Sequence, residues 1–370
     1  MIRNGPFYFP RDQLSFIAEA FSRVGPGELL TYGNPARFDV DRFHVRCLRL
    51  NFYKRHYPLF AAIVMARIAW HRLIKRRRIV VITYDPLRNG LIGVTARYLF
   101  GAKLVCELNG VFDSEAVLMD KPNREGAARL RRRMLSVGRW VLRRCDHIKL
   151  LYARQADAFI PRPETPRSVF FDIYNEALFT ETEPHSNKVL LFVGHPLLLK
   201  GVDVLLEAFA LTRHEFPEWR LTLVGWRLED GIRRLELPCD GVDVRGPMPQ
   251  DELAQTMARS EGLILPSRSE GMGRVLLEAA ASARARLGSR IDGIPTYIED
   301  GKDGLLFNPD DIGDLTRVLT AFFSDQELRH TLGRGARARY EKEYRSEHYS
   351  SKYGDLVDSL RRSSSESFFT

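Results

Sequence analysis

The amino-acid sequence predicts an α/β protein made of two doubly wound domains. Three observations support this: the chain has 370 residues, short apolar runs alternate with helical patterns in both halves, and a segment rich in Pro, Glu, Thr and Ser separates the halves. A chain of this length accommodates two domains of ordinary size. Alternating strands and helices imply mainly parallel sheets with helices on both faces. Ligands bind such sheets at the carboxyl ends of the strands, so we expect a site in a cleft between the domains.

The first half supplies the elements of one domain. Apolar runs of strand type occupy residues 28–32, 44–50, 79–83, 103–107 and 147–151. Helical patterns occupy residues 13–24, 57–75, 91–100 and 124–143. We assign residues 1–182 to this N-terminal domain, which we expect to bind the acceptor.

The second half restarts the same alternation after the polar segment. Strands are predicted at residues 188–193, 219–224, 242–245, 263–266 and 286–289. Helices are predicted at residues 201–213, 250–258, 274–283, 311–323 and 326–343. Residues 187–345 form the predicted C-terminal domain, and 346–370 a terminal helix that returns to the first domain, followed by a disordered tail from residue 363.

The composition indicates a soluble protein of a reducing compartment. The hydrophobic fraction is 44% and the charged fraction 28%, as in globular domains. The four cysteines, Cys47, Cys106, Cys145 and Cys239, form no CxxC pair, which argues against a structural zinc site or a disulfide framework. No signal peptide is apparent, and the apolar run at 58–66 is too short to span a bilayer. We therefore expect a cytoplasmic protein.

The positive charge is concentrated in the first half. Residues 1–180 hold 31 Lys and Arg against 16 Asp and Glu, whereas residues 181–370 hold 25 against 31. Basic residues cluster at 67–78, 129–133 and 139–144. One interpretation is a surface that rests on anionic lipid and presents a lipid-linked acceptor, on the inner face of the membrane. The alternative is solvated helix faces. A nucleic-acid partner is not predicted, because no recognition motif accompanies the charge.

The stretch from Pro266 to Glu278 carries the predicted chemistry. It lies within GLILPSRSEGMGRVLLEAAASA, in which a buried strand ends at Pro266 and a helix opens near Gly273. Glycines allow backbone N–H groups to approach a ligand, and a helix N-terminus favours negative charge, so this loop suits a diphosphate. Glu278 can accept two hydrogen bonds from a ribose diol, as acidic residues do in dinucleotide folds. Alone the signal is weak, since Glu278 could equally be an exposed helical residue.

Neighbouring motifs strengthen the prediction. The segments SEGMGRVLLEA, FVGHPLLLKGVDVLLEAFA at 192–210, LTLVGW at 221–226 and LGSRIDGIPTYIEDGKDGLLF at 287–307 resemble, in order and spacing, the family-4 glycosyltransferases of the GT-B fold. The resemblance covers nearly the whole second half. It implies two Rossmann-like domains that face a central cleft, with a C-terminal helix that crosses back to the first domain.

The resemblance also implies roles for single residues. Glu278 would bind the donor ribose, Glu270 would lie beside the sugar, and Lys200 would neutralise the diphosphate. Glu270 and Lys200 are thus the catalytic candidates. The other donor-binding candidates implied by the family pattern are Gly194, His195, Arg245, Gly246, Gly271, Met272, Gly273 and Arg274.

Three departures from the family pattern affect the prediction. His195 stands where the family has an arginine, and an imidazole is a weaker phosphate clamp, for which Arg227 or Arg274 would have to compensate. On the acceptor and sugar side, Asn109 stands nearest the position of a family histidine. The opening MIRNGPFYFPRDQ places Gly5 where the family's first glycine-rich loop should be, so the first strand is either missing or the start is assigned late.

Family resemblance implies retaining sugar transfer from a nucleotide-sugar to a glycan or lipid-linked acceptor, in polysaccharide or glycolipid biosynthesis. It implies no metal and no other cofactor, and the chain has no DxD motif of the kind that would indicate one. The alternative is a GT-B nucleotide-binding protein with weak or no catalysis, which the three departures motivate.

Overall fold

The computed structural model describes residues 11–32, 36–48, 53–112, 114–119, 123–181 and 187–366. The chain divides into two compact units. Unit 1 comprises residues 1–109, 129–174 and 346–370, and unit 2 comprises residues 110–128 and 175–345. The predicted boundary lies between residues 182 and 187, of which 182–186 are outside the described ranges, so it stays a prediction. The predicted glycine loop at Gly5 also lies outside those ranges.

The strands and helices are numbered in chain order. The strands are β1 (Gly27–Tyr32), β2 (Ala36–Val40), β3 (Phe43–Leu48), β4 (Val80–Thr83), β5 (Lys103–Glu107), β6 (His147–Leu150), β7 (Arg167–Val169), β8 (Val189–Val193), β9 (Arg220–Val224), β10 (Val242–Arg245), β11 (Gly262–Leu265), β12 (Ala285–Ser289) and β13 (Leu305–Phe307). The helices are α1 (Arg11–Val24), α2 (Tyr53–Ala69), α3 (Arg88–Phe100), α4 (Arg124–Leu142), α5 (Val202–Thr212), α6 (Leu228–Arg234), α7 (Gln250–Ala258), α8 (Arg274–Ala281), α9 (Ile294–Tyr297), α10 (Ile312–Ser324), α11 (Gln326–Glu343) and α12 (Ser346–Glu366).

Unit 1 contains two sheets. A parallel sheet has the order β4-β5-β6-β7, and a three-stranded sheet has the order β1-β3-β2, in which β1 runs parallel and β2 antiparallel to β3. Helix α12 packs against α1 within this unit, and the rings of Tyr349 and Tyr353 lie 6.0 and 4.9 Å from that of Phe21. Such aromatic contacts bury much apolar area and fix the terminal helix in place.

Unit 2 is built on one parallel sheet of order β10-β9-β8-β11-β12-β13. The central strands β8 and β11 read as continuous apolar runs because helices cover both faces. Every residue of β11 and β12 is buried, including Arg286 of β12, which pairs with Asp303 at 2.7 Å. The flanking helices start where the sequence provides caps: Asp311 accepts from the N–H of Asp314 before α10, and Asp325 from that of Leu328 before α11. The rigid sheet therefore fixes where each loop at its carboxyl edge begins.

The predicted α/β fold with mainly parallel sheets is confirmed. The sequence pattern missed five short elements, β2, β7, β13, α6 and α9, because each has too few residues to establish a period. The predicted helix 57–75 is wrong at its end: α2 stops at Ala69 and a wider π-type turn continues over Trp70–Ile74. Helix α12 extends to Glu366, four residues into the predicted tail. Within the described ranges, no helix is long and apolar enough to cross a membrane.

Candidate functional site

The loops after β8, β9 and β10 begin side by side at the carboxyl edge of the unit 2 sheet. The N–H of Gly194 donates to the carbonyl of Val224 and that of Gly225 to the carbonyl of Arg245, each at 3.0 Å. A Cβ on Gly225 would lie 2.1 Å from the carbonyl oxygen of Gly194. Only glycine therefore fits where these two loops meet, and the predicted positions Gly194, Arg245 and Gly246 share one edge.

Arg268 fixes the loop after β11 against the loop after β8. Its guanidinium donates to both carboxylate oxygens of Asp203, at 2.7 and 2.8 Å, and its Nε donates to Asp310 at 2.6 Å. Gly201, at φ +66°, passes so close to Pro266 that a Cβ there would lie 2.0 Å from the Pro266 carbonyl oxygen. A bidentate pair of this kind gives directional as well as energetic support. The loops that carry Lys200 and Glu270 are thus held in register.

Lys200 and Glu270 form an ion pair at this edge. The Nζ of Lys200 contacts Oε2 of Glu270, and the two side chains are only 17% and 15% exposed. Asp292, after β12, accepts from the hydroxyl of Ser269 at 2.8 Å and from the N–H of Glu270 at 3.1 Å. Asp292 therefore orients the loop that presents Glu270.

Glu278 is buried rather than exposed. Its side chain is 1% exposed, on α8, and its Oε1 lies 3.1 Å from Nε of Arg274. Yet neither carboxylate oxygen makes a hydrogen bond to any group in the described part of the chain. Burial raises the pKa of this carboxyl above its ordinary value, while Arg274 opposes the rise. Buried acceptors are nearly always satisfied, so this carboxylate has capacity for a ligand's donors.

The amino end of α8 lies next to the same loop. Gly273 precedes the helix at φ +65°, with a Cβ position 2.7 Å from Leu265, so a larger residue would be both strained and crowded. Met272 is 6% exposed. The free N–H groups of the first turn favour an anion beside Gly271–Gly273, as the sequence predicts.

The cations expected to compensate for His195 are already engaged. His195 is exposed, and its ring lies edge-on to Trp226 at 5.1 Å between centroids. Arg227 pairs with Asp230 at 3.3 Å and stacks near the Trp226 ring, while Arg274 pairs with Glu278. Arg245 pairs with Asp243 at 2.7 Å. Without a ligand, each of the three arginines is therefore paired with a carboxylate and would have to leave that partner to bind a phosphate.

Asn109 lies in unit 1 and belongs to a polar cluster there. Its Nδ2 donates to Glu107 at 2.7 Å and to the carbonyl of Tyr84 at 3.2 Å, and its Oδ1 accepts from Lys149 at 3.3 Å. The hydroxyl of Tyr353 donates to Glu107. These contacts occupy the amide of Asn109 on both sides, and its role toward the sugar stays a prediction.

Three site residues escaped the sequence interpretation. Arg268, Asp292 and Trp226 all lie inside the quoted motifs PSRSE, RIDGIP and LTLVGW. Their tasks depend on partners 65, 22 and 31 residues away in the chain, as with Asp203 for Arg268. The one sequence signal for the role of Arg268 was an arginine flanked by serines in a loop, where its guanidinium can pair with a carboxylate of another loop. Across the described ranges no group of three metal-ligating side chains is found, and the expected absence of a metal remains a prediction.

Comparison with known proteins shows what the second half of the chain resembles. The family model described as glycosyl transferases group 1 matches residues 175–339. Sulfoquinovosyl transferase SQD2 of Arabidopsis thaliana is 34% identical over 146 residues, which are 38% of this chain and 28% of that protein. The match thus spans less than a third of that relative's length.

Two solved structures share the fold over nearly the whole chain. Sucrose-phosphate synthase of Thermosynechococcus elongatus superposes with a TM-score of 0.75 at 20% identity, covering 94% of this chain and 92% of that one. Anabaena HepE in complex with UDP-glucose gives a TM-score of 0.71 at 16% identity, covering 97% and 98%. The chain therefore has the α/β fold of the GT-B glycosyltransferases, and its residues 175–339 match the family model described as glycosyl transferases group 1.

Proposed function

We propose that the protein transfers a sugar from a nucleotide-sugar donor, with retention, to a glycan or lipid-linked acceptor in polysaccharide or glycolipid biosynthesis. The observation that carries the proposal is the carboxyl edge of the unit 2 sheet. There the Lys200–Glu270 ion pair adjoins a helix amino end, and the buried carboxylate of Glu278 is paired with Arg274 but accepts no hydrogen bond of good geometry from the described residues. Lys200 and the helix amino end match a diphosphate, Glu270 matches the sugar, and Glu278 matches a ribose diol.

Donor binding would rearrange the ion pair. A diphosphate placed at the amino end of α8 attracts Lys200, which releases Glu270 to accept hydrogen bonds from sugar hydroxyls. The ribose diol donates to Glu278 and satisfies both of its oxygens. Anabaena HepE, which shares the fold, is described in complexes with UDP and UDP-glucose, and this supports a nucleotide-sugar as the donor.

Transfer then follows a front-face route. The bond between the anomeric carbon and the diphosphate oxygen breaks, the acceptor oxygen bonds to that carbon on the same face, and the departing diphosphate takes the acceptor proton. The protein acts by positioning and by stabilising the departing charge through Lys200 and the N–H groups of Gly271–Gly273. No metal or other cofactor enters this proposal.

Unit 1 supports a peripheral contact with an anionic bilayer. Four apolar or aromatic side chains of this unit are each more than 60% exposed: Leu73, Ile74, Tyr98 and Leu99. The Nε of Arg72 donates to the Phe100 carbonyl at 3.0 Å, which joins the π-type turn after α2 to the end of α3. Lys75 and the arginines at 76–78 border these apolar side chains. An apolar ridge with a basic border suits the interface of an anionic membrane.

The transferase proposal is tested with the full chain and a panel of nucleotide-sugars. We expect one donor to be hydrolysed or transferred with the product in the anomeric configuration of the donor, read by proton NMR. The Lys200→Ala variant should lose this turnover, and Lys302→Ala, which removes an exposed lysine from the same unit, should keep it. Inverted product would contradict retention, and equal turnover by both variants would contradict the site.

The second candidate is a nucleotide-binding protein with little or no turnover. It is favoured by the engaged amide of Asn109 and by His195 in place of an arginine. Calorimetry separates the two, because nucleoside diphosphate binding without turnover on any donor would support the second candidate.

The membrane contact is tested by sedimentation with vesicles. We expect binding to phosphatidylcholine vesicles only when phosphatidylglycerol is included, and less of it in a Leu73→Ser/Leu99→Ser variant. Binding that is equal for the variant and the wild type would contradict the contact.

A further inference from the structure

Unit 1 contains a pocket that the transferase proposal does not use. It has a volume of about 460 Å³. It is lined by residues at the starts of β1, β3 and β4 together with the end of α2 and Val357 and Arg361 of α12. The pocket thus opens at the amino ends of these strands, whereas Asn109 follows the carboxyl end of β5. It is therefore a separate feature from the edge at which sheets of this kind bind their main ligand.

The walls of the pocket are strongly cationic. Seven lysine and arginine side chains line it, against the single carboxylate of Glu28. That carboxylate is already shared by Arg46 at 2.5 Å, Arg67 at 3.2 Å and His71 at 3.6 Å. The local excess of positive charge is therefore not cancelled by Glu28.

Three of the lining cations remain without an acidic partner. No carboxylate of the described residues comes within ion-pair distance of Arg42, Arg77 or Arg78, and all three are exposed at the pocket. Like charges gathered around one concavity repel each other, and an anion at their centre relieves that repulsion. Guanidinium groups in particular match phosphate geometry through paired N–H donors.

The floor of the pocket is apolar. Val64, Val81, Val357 and Phe43 are at most 6% exposed, and Ile68 is 8% exposed. A cationic rim above an apolar floor suits a ligand that has an anionic head and an apolar body. A small inorganic ion alone would leave this floor without contacts.

We propose that this pocket binds a phosphate-bearing ligand through Arg42, Arg77 and Arg78, with the ligand's apolar portion on the floor formed by Val64, Ile68 and Val81. The ligand is either a lipid with a phosphomonoester headgroup or a soluble phosphomonoester that has an apolar portion, and inorganic phosphate is the probe for the soluble source. The chemistry that recognises the two is the same, and the site does not depend on the transferase activity of unit 2.

His71 provides a local probe, because its ring lines the pocket. Burial lowers the pKa of His71, and Arg67 and Arg77 lower it further, whereas Glu28 raises it. A phosphate seated among these groups would stabilise the imidazolium and raise that pKa. The pKa is measured from the ring-proton NMR shifts of the full-length chain, assigned by the loss of the signal in His71→Gln.

The titration has two arms. In one arm inorganic phosphate is added, and in the other vesicles of phosphatidylcholine with or without phosphatidic acid. We expect a saturable rise in the His71 pKa in at least one arm; a rise with phosphatidic acid alone assigns a lipid source, and a rise with inorganic phosphate assigns a soluble one. The variant Arg42→Glu/Arg78→Glu should weaken the response at least about tenfold, and Arg220→Glu/Lys342→Glu, an equal charge change in unit 2, should preserve it.

Two results would overturn the proposal: no change of the His71 pKa in either arm, or an unchanged response in Arg42→Glu/Arg78→Glu while the thermal melting profile is native. The Leu73→Ser/Leu99→Ser variant keeps the response to inorganic phosphate if the pocket and the apolar ridge act separately. Glu278→Gln must leave the His71 titration unchanged, so failure here is distinguishable from failure of the donor site.

Discussion

The two units differ in whether the buried polar groups near the carboxyl edges of their parallel sheets have hydrogen-bond partners. In unit 1, Glu107 and Lys149 are fully buried neighbours on β5 and β6, and Asn109 and Tyr353 satisfy them with hydrogen bonds. In unit 2, Glu278 is as deeply buried, but its carboxylate oxygens receive no hydrogen bond from the described residues. The same architecture therefore supports a hydrogen-bonded network with all its partners in unit 1, which we call the closed network, and a carboxylate that can accept further hydrogen bonds in unit 2.

This difference separates stability from binding. A buried charge with partners contributes order, and removing one partner exposes the cost of burying the other. A buried carboxylate without donors costs stability until a ligand supplies them. The unit 2 edge is thus suited to bind, and the unit 1 network to hold its own strands together.

The largest expected loss of stability comes from a substitution that breaks the hydrogen-bonded network of unit 1. Replacing Glu107 with Gln leaves the buried ammonium of Lys149 without its neighbouring carboxylate, and should lower the free energy of unfolding by about 3 kcal/mol. The measurement is urea denaturation followed by circular dichroism. The exposed Glu164→Gln in the same unit is the control, and equal midpoints for the two variants would contradict the network.

The next effect concerns the ion pair of unit 2. Lys200→Ala should lower kcat/KM for the donor by about a hundredfold, equivalent to roughly 3 kcal/mol, because a charge contact to the departing diphosphate is lost. Glu270→Ala should also lower it. The loss of transition-state stabilisation in the double variant should be smaller than the sum of the two single losses, by at least about 1 kcal/mol, because both residues act on one ligand. Strict additivity would show that they act independently.

A smaller effect of opposite sign is expected at Glu278. Its pKa is raised in the folded state, so the protonated form favours folding below the ordinary carboxyl pKa, and this contribution is lost as the pH rises through the raised value. Glu278→Gln should therefore raise the melting temperature of the ligand-free protein near pH 8, and this gain should shrink towards pH 4. Thermal melts across this range measure it. A destabilised variant near pH 8 would mean that the ion pair with Arg274 outweighs the cost of burying the carboxylate.

The smallest effect concerns His195. Trp226 holds the imidazole edge-on, so Trp226→Ala should weaken nucleoside diphosphate binding by about 0.5–1.5 kcal/mol, and Trp226→Phe should restore most of it. The half-exposed Trp140 in unit 1 provides the control substitution. Unchanged affinity in Trp226→Ala would show that the stacking does not position His195.

Sequence patterns anticipated the regular elements of unit 2 well. The predicted bounds of β10, α7 and α11 agree with the structure, and for α11 the Asp325 cap determines the start locally. The start of α8 next to Gly273 was predicted from the loop sequence itself, whereas a shared site for Lys200 and Glu270 was implied by the family resemblance.

Contacts between distant segments were beyond that kind of reasoning. Three contacts join loops that only the tertiary structure brings together. They are the ion pair of Arg268 with Asp203, the hydrogen bond from the Glu270 N–H to Asp292, and the close approach of Gly225 to Gly194. The burial of Glu278 was likewise undecided, since a helical glutamate is more often exposed. The return of residues 346–370 to unit 1 was anticipated from the family resemblance, whereas the exclusion of 110–128 from that unit depends on packing rather than on order in the chain.

The central claim is that the stretch from Pro266 to Glu278 holds the donor nucleotide through the unfilled carboxylate of Glu278. Calorimetric titration of wild type and Glu278→Gln with UDP, GDP and ADP tests it most directly. We predict that the best nucleoside diphosphate binds the variant at least about tenfold more weakly, a loss of roughly 1.4 kcal/mol, although the variant is no less stable. Equal dissociation constants for the two proteins would contradict the claim.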